Sequence, residues 1–508
     1  MTDHGSTDET QTTDQSGPAR TQRRKWRIVV ALVFVAGVIG GLVIGFSTQS
    51  DDDNQTLSWM EFKGGLQEAT LTVPIDHSKP EGETLTLRIL RRPADDPTKR
   101  IGSLLVNPGG PGFGAESMMM GAKEFFEPEI LSRFDIVGMD PRGTGLSTPA
   151  IDCIDNYDEF IAVVDISPQD SEAREKERES TKSFAENCVE RVGDAIAHMT
   201  TAATARDLDM LRRALGEDTI TYFGTSYGCT LGATWATLFP NTVRAAVLDG
   251  CEDPTADEIE SARQQAIGFQ RSVEAFLQKC ESVGDKCPIG KDRKPIEDLR
   301  ELWNRAASGE LTGMPGRPSV NEWVFQTAII VSMYSEDYWP ALAEGLAAGL
   351  QGDGSILMQL SDAYYQRRTD GTWGNELEAT LVISCMDNAK RTTTQESEAL
   401  NAELPKIAPL IYPQGTFSTP ICDALPAAGD SPITITGSSA PPLLVIGNTG
   451  DPATPFASTK KMAAALQSSI LVAVESNNHG GYGINDCIND AVHGYLIDSV
   501  IPEDETTC

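Results

Sequence analysis

The sequence predicts an α/β architecture, a mostly parallel central sheet covered by helices and interrupted by an inserted helical region. Three observations predict it. Short apolar runs alternate with helical patterns through the first half of the chain, the alternation stops near Asp253, and it resumes near Pro441. Uninterrupted apolar strands belong to sheets buried on both faces, and strand–helix alternation is the order a parallel sheet requires.

The elements follow in order. ATLTVPIDH (69–77) and TLTLRILRR (84–92) alternate with the two-residue period of half-buried strands, and the KPEGE turn between them makes an edge hairpin. Strands are then read in GSLLVNPGG (102–110), FDIVGMDPRGTG (134–145), ITYFGTSYG (220–228) and VRAAVLDG (243–250). Ser171 to Gly216 reads as helical, first very polar and then amphipathic. From 254 to 375 the pattern is helical, with Gly/Pro breaks such as GELTGMPGRPS, and is expected to form a cap. Strands return in PPLLVIGNTGD (441–451) and ILVAVESNNHG (470–480), whereas 386–440 is rich in Pro, Ser and Thr and shows no clear period. The expected organisation is a core in two parts, 57–253 and 376–508, around a helical cap at 254–375.

The first fifty residues differ from the rest. Residues 1–27 offer almost nothing to bury and are expected to be a disordered cytoplasmic tail. Residues 28–46 contain no charge; as a helix they would run about 28 Å, the thickness of a bilayer core. Basic residues precede this run and Asp51–Asp53 follow it, so a transmembrane helix with the N-terminus inside and a polar stalk at 47–56 is expected. The partner would be the lipid bilayer, and the localisation a single-pass cell-membrane protein with its globular part outside. Cleavage of the N-terminal segment would instead release it as a secreted protein.

Ten cysteines in an exported chain read as disulfides. Local spacing suggests Cys280–Cys287 and Cys487–Cys508; Cys229 and Cys251 read either as a pair or as two inert thiols. No C-x-x-C pair occurs and few histidines are present, so neither a metal nor another cofactor is expected. A formal net charge of −33 repels nucleic acid, which is not an expected partner.

The chemistry is read from four short segments. Gly224-Thr225-Ser226-Tyr227-Gly228 fits G-x-S-x-G between an apolar strand and a small-residue helix, the setting of a nucleophile elbow, with Ser226 as nucleophile. A hydroxyl needs a base. His479 follows the last long strand at the carboxyl edge of the sheet, whereas His4, His77, His198 and His493 fall in a tail, an edge strand or helices. Asp451, after the preceding strand, supplies the acid, and Thr454 is a candidate to brace its loop. The order Ser, Asp, His is that of the α/β-hydrolase fold. The glycines of NPGGPG (107–112) can point backbone amides inward, so Gly110 and the Tyr227 amide are the expected oxyanion donors, with Gly109 and Gly112 as alternatives. The same loop lacks the register of a nucleotide-binding motif.

LLVNPGGPGFG, FDIVGMDPRGTGLST, ITYFGTSYGCTLGATWATLFP, VRAAVLDG, LLVIGNTGDPATP and NNHGGYG together resemble the actinobacterial tripeptidyl aminopeptidase group of secreted α/β-hydrolases, which is similar to the proline iminopeptidases. The resemblance spans nearly everything after Ala69. It implies Ser226, Asp451 and His479 as the triad, a helical cap over the pocket, and release of short peptides from free N-termini. The His loop departs from the group, reading N-N-H-G where G-H-G is usual. A carboxylate should then dock the substrate ammonium; among Glu322, Asp337 and Asp387 the last is favoured, because it sits at the return from cap to core. An exported carboxylesterase or lipase with the same triad and a catalytically silent surface-binding module are the rival expectations. The substrate expected is a peptide or a small ester.

Overall fold

The computed structural model describes residues 55–508 except 165, 167–170, 389 and 416–420. Its strands are β1 (Met60–Glu61), β2 (Gln67–Pro74), β3 (Thr84–Arg92), β4 (Gly102–Asn107), β5 (Phe134–Met139), β6 (Ile220–Thr225), β7 (Val243–Asp249), β8 (Leu443–Asn448), β9 (Ser469–Val474) and β10 (Thr506–Thr507). They form one sheet in the order β1-β2-β3-β5-β4-β6-β7-β8-β9-β10. The pairs among β1, β2, β3 and β5 are antiparallel, and every pair from β5 to β10 is parallel.

The two-residue period of the strands divides their side chains between two cores. Leu105, Val137, Tyr222, Leu248 and Val445 pack on one face with Leu208 and Leu211 of the helix Thr201–Ala214 and Trp235 of the helix Tyr227–Leu238. Leu104, Ile136, Phe223, Val247 and Leu444 pack on the other with Ile488, Val492 and Leu496 of the helix Asp486–Asp498. Adjacent residues such as Tyr222 and Phe223 thus serve opposite faces, which is why these strands carry no polar alternation.

Between β7 and β8 the long elements are helices: Glu258–Val283, Pro295–Ala307, Glu322–Met333, Trp339–Gly349, Ser355–Tyr364, Glu376–Asp387 and Thr394–Ile407. They enclose a third apolar core around Leu302, Trp303, Phe325 and Leu342. The helices continue past residue 375 into the segment whose sequence shows no period. The ten cysteines form five disulfides: Cys153–Cys188, Cys229–Cys251, Cys280–Cys287, Cys385–Cys422 and Cys487–Cys508. The last joins the helix Asp486–Asp498 to the chain end, where β10 extends the sheet beside β9.

One expectation is corrected. No helix among the described residues is long and apolar enough to cross a membrane. The longest, the 26-residue helix Glu258–Val283, carries Glu260, Arg263, Arg271, Glu274 and Lys279 along its length, and such charges are expensive in a bilayer core. The expected span 28–46, with the tail before it and most of the stalk, lies outside the described residues. The transmembrane helix, the lipid-bilayer contact and the single-pass localisation are therefore set aside.

Candidate active site

Ser226 stands between β6 and the helix Tyr227–Leu238 with φ 60° and ψ −125°. Such a backbone costs a non-glycine residue about 1–3 kcal/mol and persists only when its surroundings impose it. Here they do. The Ser226 amide donates to the Asp249 carbonyl of β7 at 2.9 Å. A Cβ on Gly224 would lie 2.4 Å from the Gly228 carbonyl oxygen, and one on Gly228 would lie 2.9 Å from the Asn107 carbonyl oxygen. Both glycines of G-x-S-x-G are required because backbone passes backbone at those points. The disulfide Cys229–Cys251 ties this helix to the loop after β7.

Asp451 is fully buried in the loop after β8, its Oδ1 accepting from the Ala453 and Thr454 amides at 3.0 and 2.8 Å. Nδ1 of His479 lies 3.0 Å from each carboxylate oxygen of Asp451, and Thr454 Oγ1 is 3.3 Å from the same nitrogen. Burial disfavours the imidazolium, but Asp451 outweighs it, with Asp249 and Glu252 adding to the attraction, so His479 sits above the ordinary imidazole value. Asp249 receives the Gly481 and Tyr482 amides at 2.7 and 2.9 Å and fixes the far side of the His loop; burial lifts its carboxyl to about 6.

The near side of that loop is held by the inserted region. The His479 amide donates to the Tyr334 carbonyl at 2.9 Å, and the Tyr334 ring meets the imidazole edge-on at 5.1 Å. Asn477 Nδ2 donates to Glu336 Oε1 at 2.7 Å, and Asn478 Oδ1 accepts from the Glu336 amide at 2.9 Å. Asn478, which breaks the G-H-G pattern, and Asn477 before it are clamps onto the cap. Arg271 on the helix Glu258–Val283 likewise donates to the Asp451 carbonyl at 2.9 Å.

The sequence-predicted residues are thus brought together unequally. Asp451, Thr454 and His479 form one bonded unit. His479 Nε2 is buried without a hydrogen-bond partner among the described residues, so the Ser226 hydroxyl is not bonded to it here. The NPGG loop lies against the elbow, since a Cβ on Gly109 would fall 2.9 Å from Ser226 Cβ and 3.5 Å from its Oγ. The Gly109 amide is already given to Asn107 Oδ1 at 3.0 Å. Gly110 follows with φ 113°, and Thr380 Oγ1 donates to the Pro111 carbonyl at 2.6 Å. Tyr227, the first residue of its helix, carries an amide with no acceptor inside that helix. Its hydroxyl bonds to Thr201 Oγ1, which also donates to Asp387 Oδ2 at 2.6 Å; Asp387 Oδ1 receives the Thr201 amide at 2.7 Å.

Asp387 therefore lies behind Tyr227, with burial lifting its carboxyl to about 7 against the two Thr201 bonds. Glu252, which sequence reasoning missed, adds to that lift from the loop after β7. Its carboxylate accepts from Thr230 Oγ1 at 3.1 Å, and burial raises it too. Only its place two residues beyond the DG that ends β7 could have signalled it. The other histidines among the described residues lie elsewhere. His77 lies 2.8 Å from Asp207 and 3.1 Å from Arg142, His198 sits 3.8 Å from Asp430, and His493 Nε2 is 3.0 Å from the Tyr482 hydroxyl.

Residues 102–485 match the family described as having the alpha/beta hydrolase fold. The chain belongs to this family. The α/β-hydrolase is similar to the serine protease Hip1 of Mycobacterium tuberculosis, 32% identical over 88% of each chain. It is 34% identical to the carboxylesterase B of the same organism, over 87% of this chain and 86% of the relative. It is also 30% identical to a tripeptidyl aminopeptidase of Streptomyces coelicolor, over 87% of this chain and 83% of the relative. This α/β-hydrolase is accordingly a serine hydrolase, with relatives on both the peptide and the ester side.

Proposed function

We propose that the chain is a serine exopeptidase that releases short peptides from free N-termini. His479 would take the proton of Ser226 as the hydroxyl attacks the scissile carbonyl. The Gly110 and Tyr227 amides would hold the oxyanion, and His479 would return the proton to the leaving amine before water releases the acyl group. Asp451 would hold the imidazole in the tautomer that leaves Nε2 free, with Thr454 bracing the acid loop.

The observation that carries the peptidase reading is the pair of carboxylates beside the triad. Asp387 backs Tyr227 through Thr201, and Glu252 lies close enough to His479 to raise it electrostatically. Two carboxyls lifted by burial gain most from an arriving cation, which restores them to the charged form. A substrate ammonium supplies that cation; an acyl ester does not.

Mass spectrometry of one peptide in free-amine and N-acetylated forms tests this. The expected result is N-terminal fragments from the free-amine form alone, with none from Ser226→Ala. If both forms resist while acyl esters are cleaved, the function is that of a carboxylesterase.

A further inference from the structure

A cleft of about 480 Å³ opens away from the triad, between the loop after β5 and the loop that precedes the helix Glu376–Asp387. That volume falls in the range of pockets that take small organic ligands. Its walls are braced. The disulfide Cys153–Cys188 fixes one side, and Glu378 is fully engaged there, accepting from the Cys153 and Ile154 amides and from the Tyr157 hydroxyl. Asn375 stitches the floor, its Oδ1 accepting from the Gly145 amide and its Nδ2 donating to the Gly143 and Ile151 carbonyls. Trp373 stacks on Tyr157 at 5.1 Å with 15° between the rings.

Within these walls one group is unspent. Glu376 is 6% exposed and lines the cleft, yet its Oε2 is buried with no hydrogen-bond partner among the described residues. Five carboxylates line the cleft, Asp152, Asp155, Asp158, Glu376 and Glu378, against the single guanidinium of Arg368. Asp155 and Asp158 are paired with Arg191 and Arg317, and Arg368 donates to the Trp373 carbonyl at 2.5 Å and not to Glu376. A helix N-terminus explains why acidic residues stand at 376 and 378, but not why one carboxylate oxygen, Glu376 Oε2, is buried without a partner. Among the described residues no three His, Cys or carboxylate groups converge to hold a metal ion.

We propose that this cleft binds an organic monocation, a guanidinium or primary ammonium group, held by the Glu376 carboxylate against Trp373. The unpartnered Glu376 Oε2 selects a cation and the volume admits an organic one. Trp373 already has two guanidinium groups, of Arg317 and Arg367, 5.5 Å from its ring, within cation–π range. Burial lifts the Glu376 carboxyl to about 7, and a bound cation relieves that burden. Occupancy would also reach the catalytic side. Thr380 Oγ1 lies 2.6 Å from both the Glu376 carbonyl and the Pro111 carbonyl of the oxyanion loop, its one proton shared between them.

Binding is measured with the Ser226→Ala chain, by tryptophan fluorescence and calorimetry, using N-acetyl-arginine amide, ethylguanidinium and N-acetyl-citrulline amide. The blocked amines keep the probes from docking as substrate N-termini, and no turnover is needed, so the outcome is independent of the exopeptidase reading. The expected result is binding of the guanidinium probes but not of the neutral citrulline isostere. Affinity should fall at least tenfold in Glu376→Gln, and the fluorescence change should vanish in Trp373→Phe. Preference for the blocked arginine over ethylguanidinium assigns the site to a peptide side chain; equal binding assigns it to small cations. Should Glu376→Gln fail to fold, a rise in melting temperature of the Ser226→Ala chain with the arginine probe but not the citrulline probe carries the same test. Equal binding of both, or no binding at millimolar concentration, overturns the proposal.

Discussion

Ser226 is seated by the sheet, whereas His479 is seated by the core and the insertion together. The nucleophile hangs between β6 and its helix, bonded to β7 and hemmed by Gly224 and Gly228, whose nearest neighbours are core backbone. The base hangs in a loop held by Asp249 and Asn448 on its core side and by Tyr334 and Glu336 on its cap side. A hydrolase built this way has its nucleophile positioned by the core alone, and its base positioned by contacts from both the core and the cap. The unbonded Nε2 marks where the two halves must still meet.

The largest effect that separates the halves is expected at the joint between base and acid. Asp451→Asn leaves the shape intact but presents the wrong hydrogen-bonding partner to Nδ1, and should lower kcat/KM by about 10⁴-fold. The pH profile sharpens this. Catalysis needs the neutral imidazole, and His479 is raised above its ordinary value, chiefly by Asp451 acting against burial. The acid limb of kcat/KM should therefore lie above pH 6.5 in the wild type and move down in Asp451→Asn. Stability runs the other way. A raised histidine stabilises the fold fully below its unfolded pKa, and that contribution is lost as pH rises through the folded value. An acid limb that does not move in Asp451→Asn would mean another group sets it.

These halves were not equally legible in the sequence. Ser226 was readable because an elbow is local: strand, G-x-S-x-G and small-residue helix are contiguous, and every clash that demands glycine lies within the core. Asp451 and His479 were readable as the ends of β8 and β9, since apolar strands fix where their loops emerge. The sheet itself was legible from β2 to β9, but the two-residue strands β1 and β10 were not, because two residues carry no period. Glu252, Tyr334, Arg271 and Glu336 were illegible for a different reason. Each acts by reaching across from another part of the chain, and no local pattern encodes the way a helical insertion docks. The helix Glu376–Asp387 shows no period because it is buried on most of its faces, and Thr394–Ile407 because Pro405 and its polar residues dilute the 3.6-residue period.

A smaller effect tests the core half alone. Gly224→Ala would set a Cβ 2.4 Å from the Gly228 carbonyl oxygen, 2.6 Å from the Gly228 carbonyl carbon and 2.6 Å from Tyr222 Cε1. Backbone cannot swing aside as a flexible side chain can, so stability should fall by about 1–3 kcal/mol. Denaturant unfolding reads this directly. An unchanged midpoint would show that the elbow has slack its geometry denies.

The smallest effect is the one that decides whether the cap truly seats the base. Asn477→Ala deletes the bond to Glu336 on an exposed part of the His loop while leaving Asp249, Asp451 and Tyr334 in place. Such a bond is worth about 0.5–1.5 kcal/mol, so the global melting temperature should hardly move. If the clamp only decorates the surface, kcat is untouched. If it holds the imidazole where Ser226 needs it, kcat should drop by up to about tenfold with KM little changed. Glu336→Ala should then reproduce the loss, and the double variant should be no worse than either alone, because both remove the same contact. Additive losses would place Asn477 and Glu336 in separate roles and return the seating of His479 to the core.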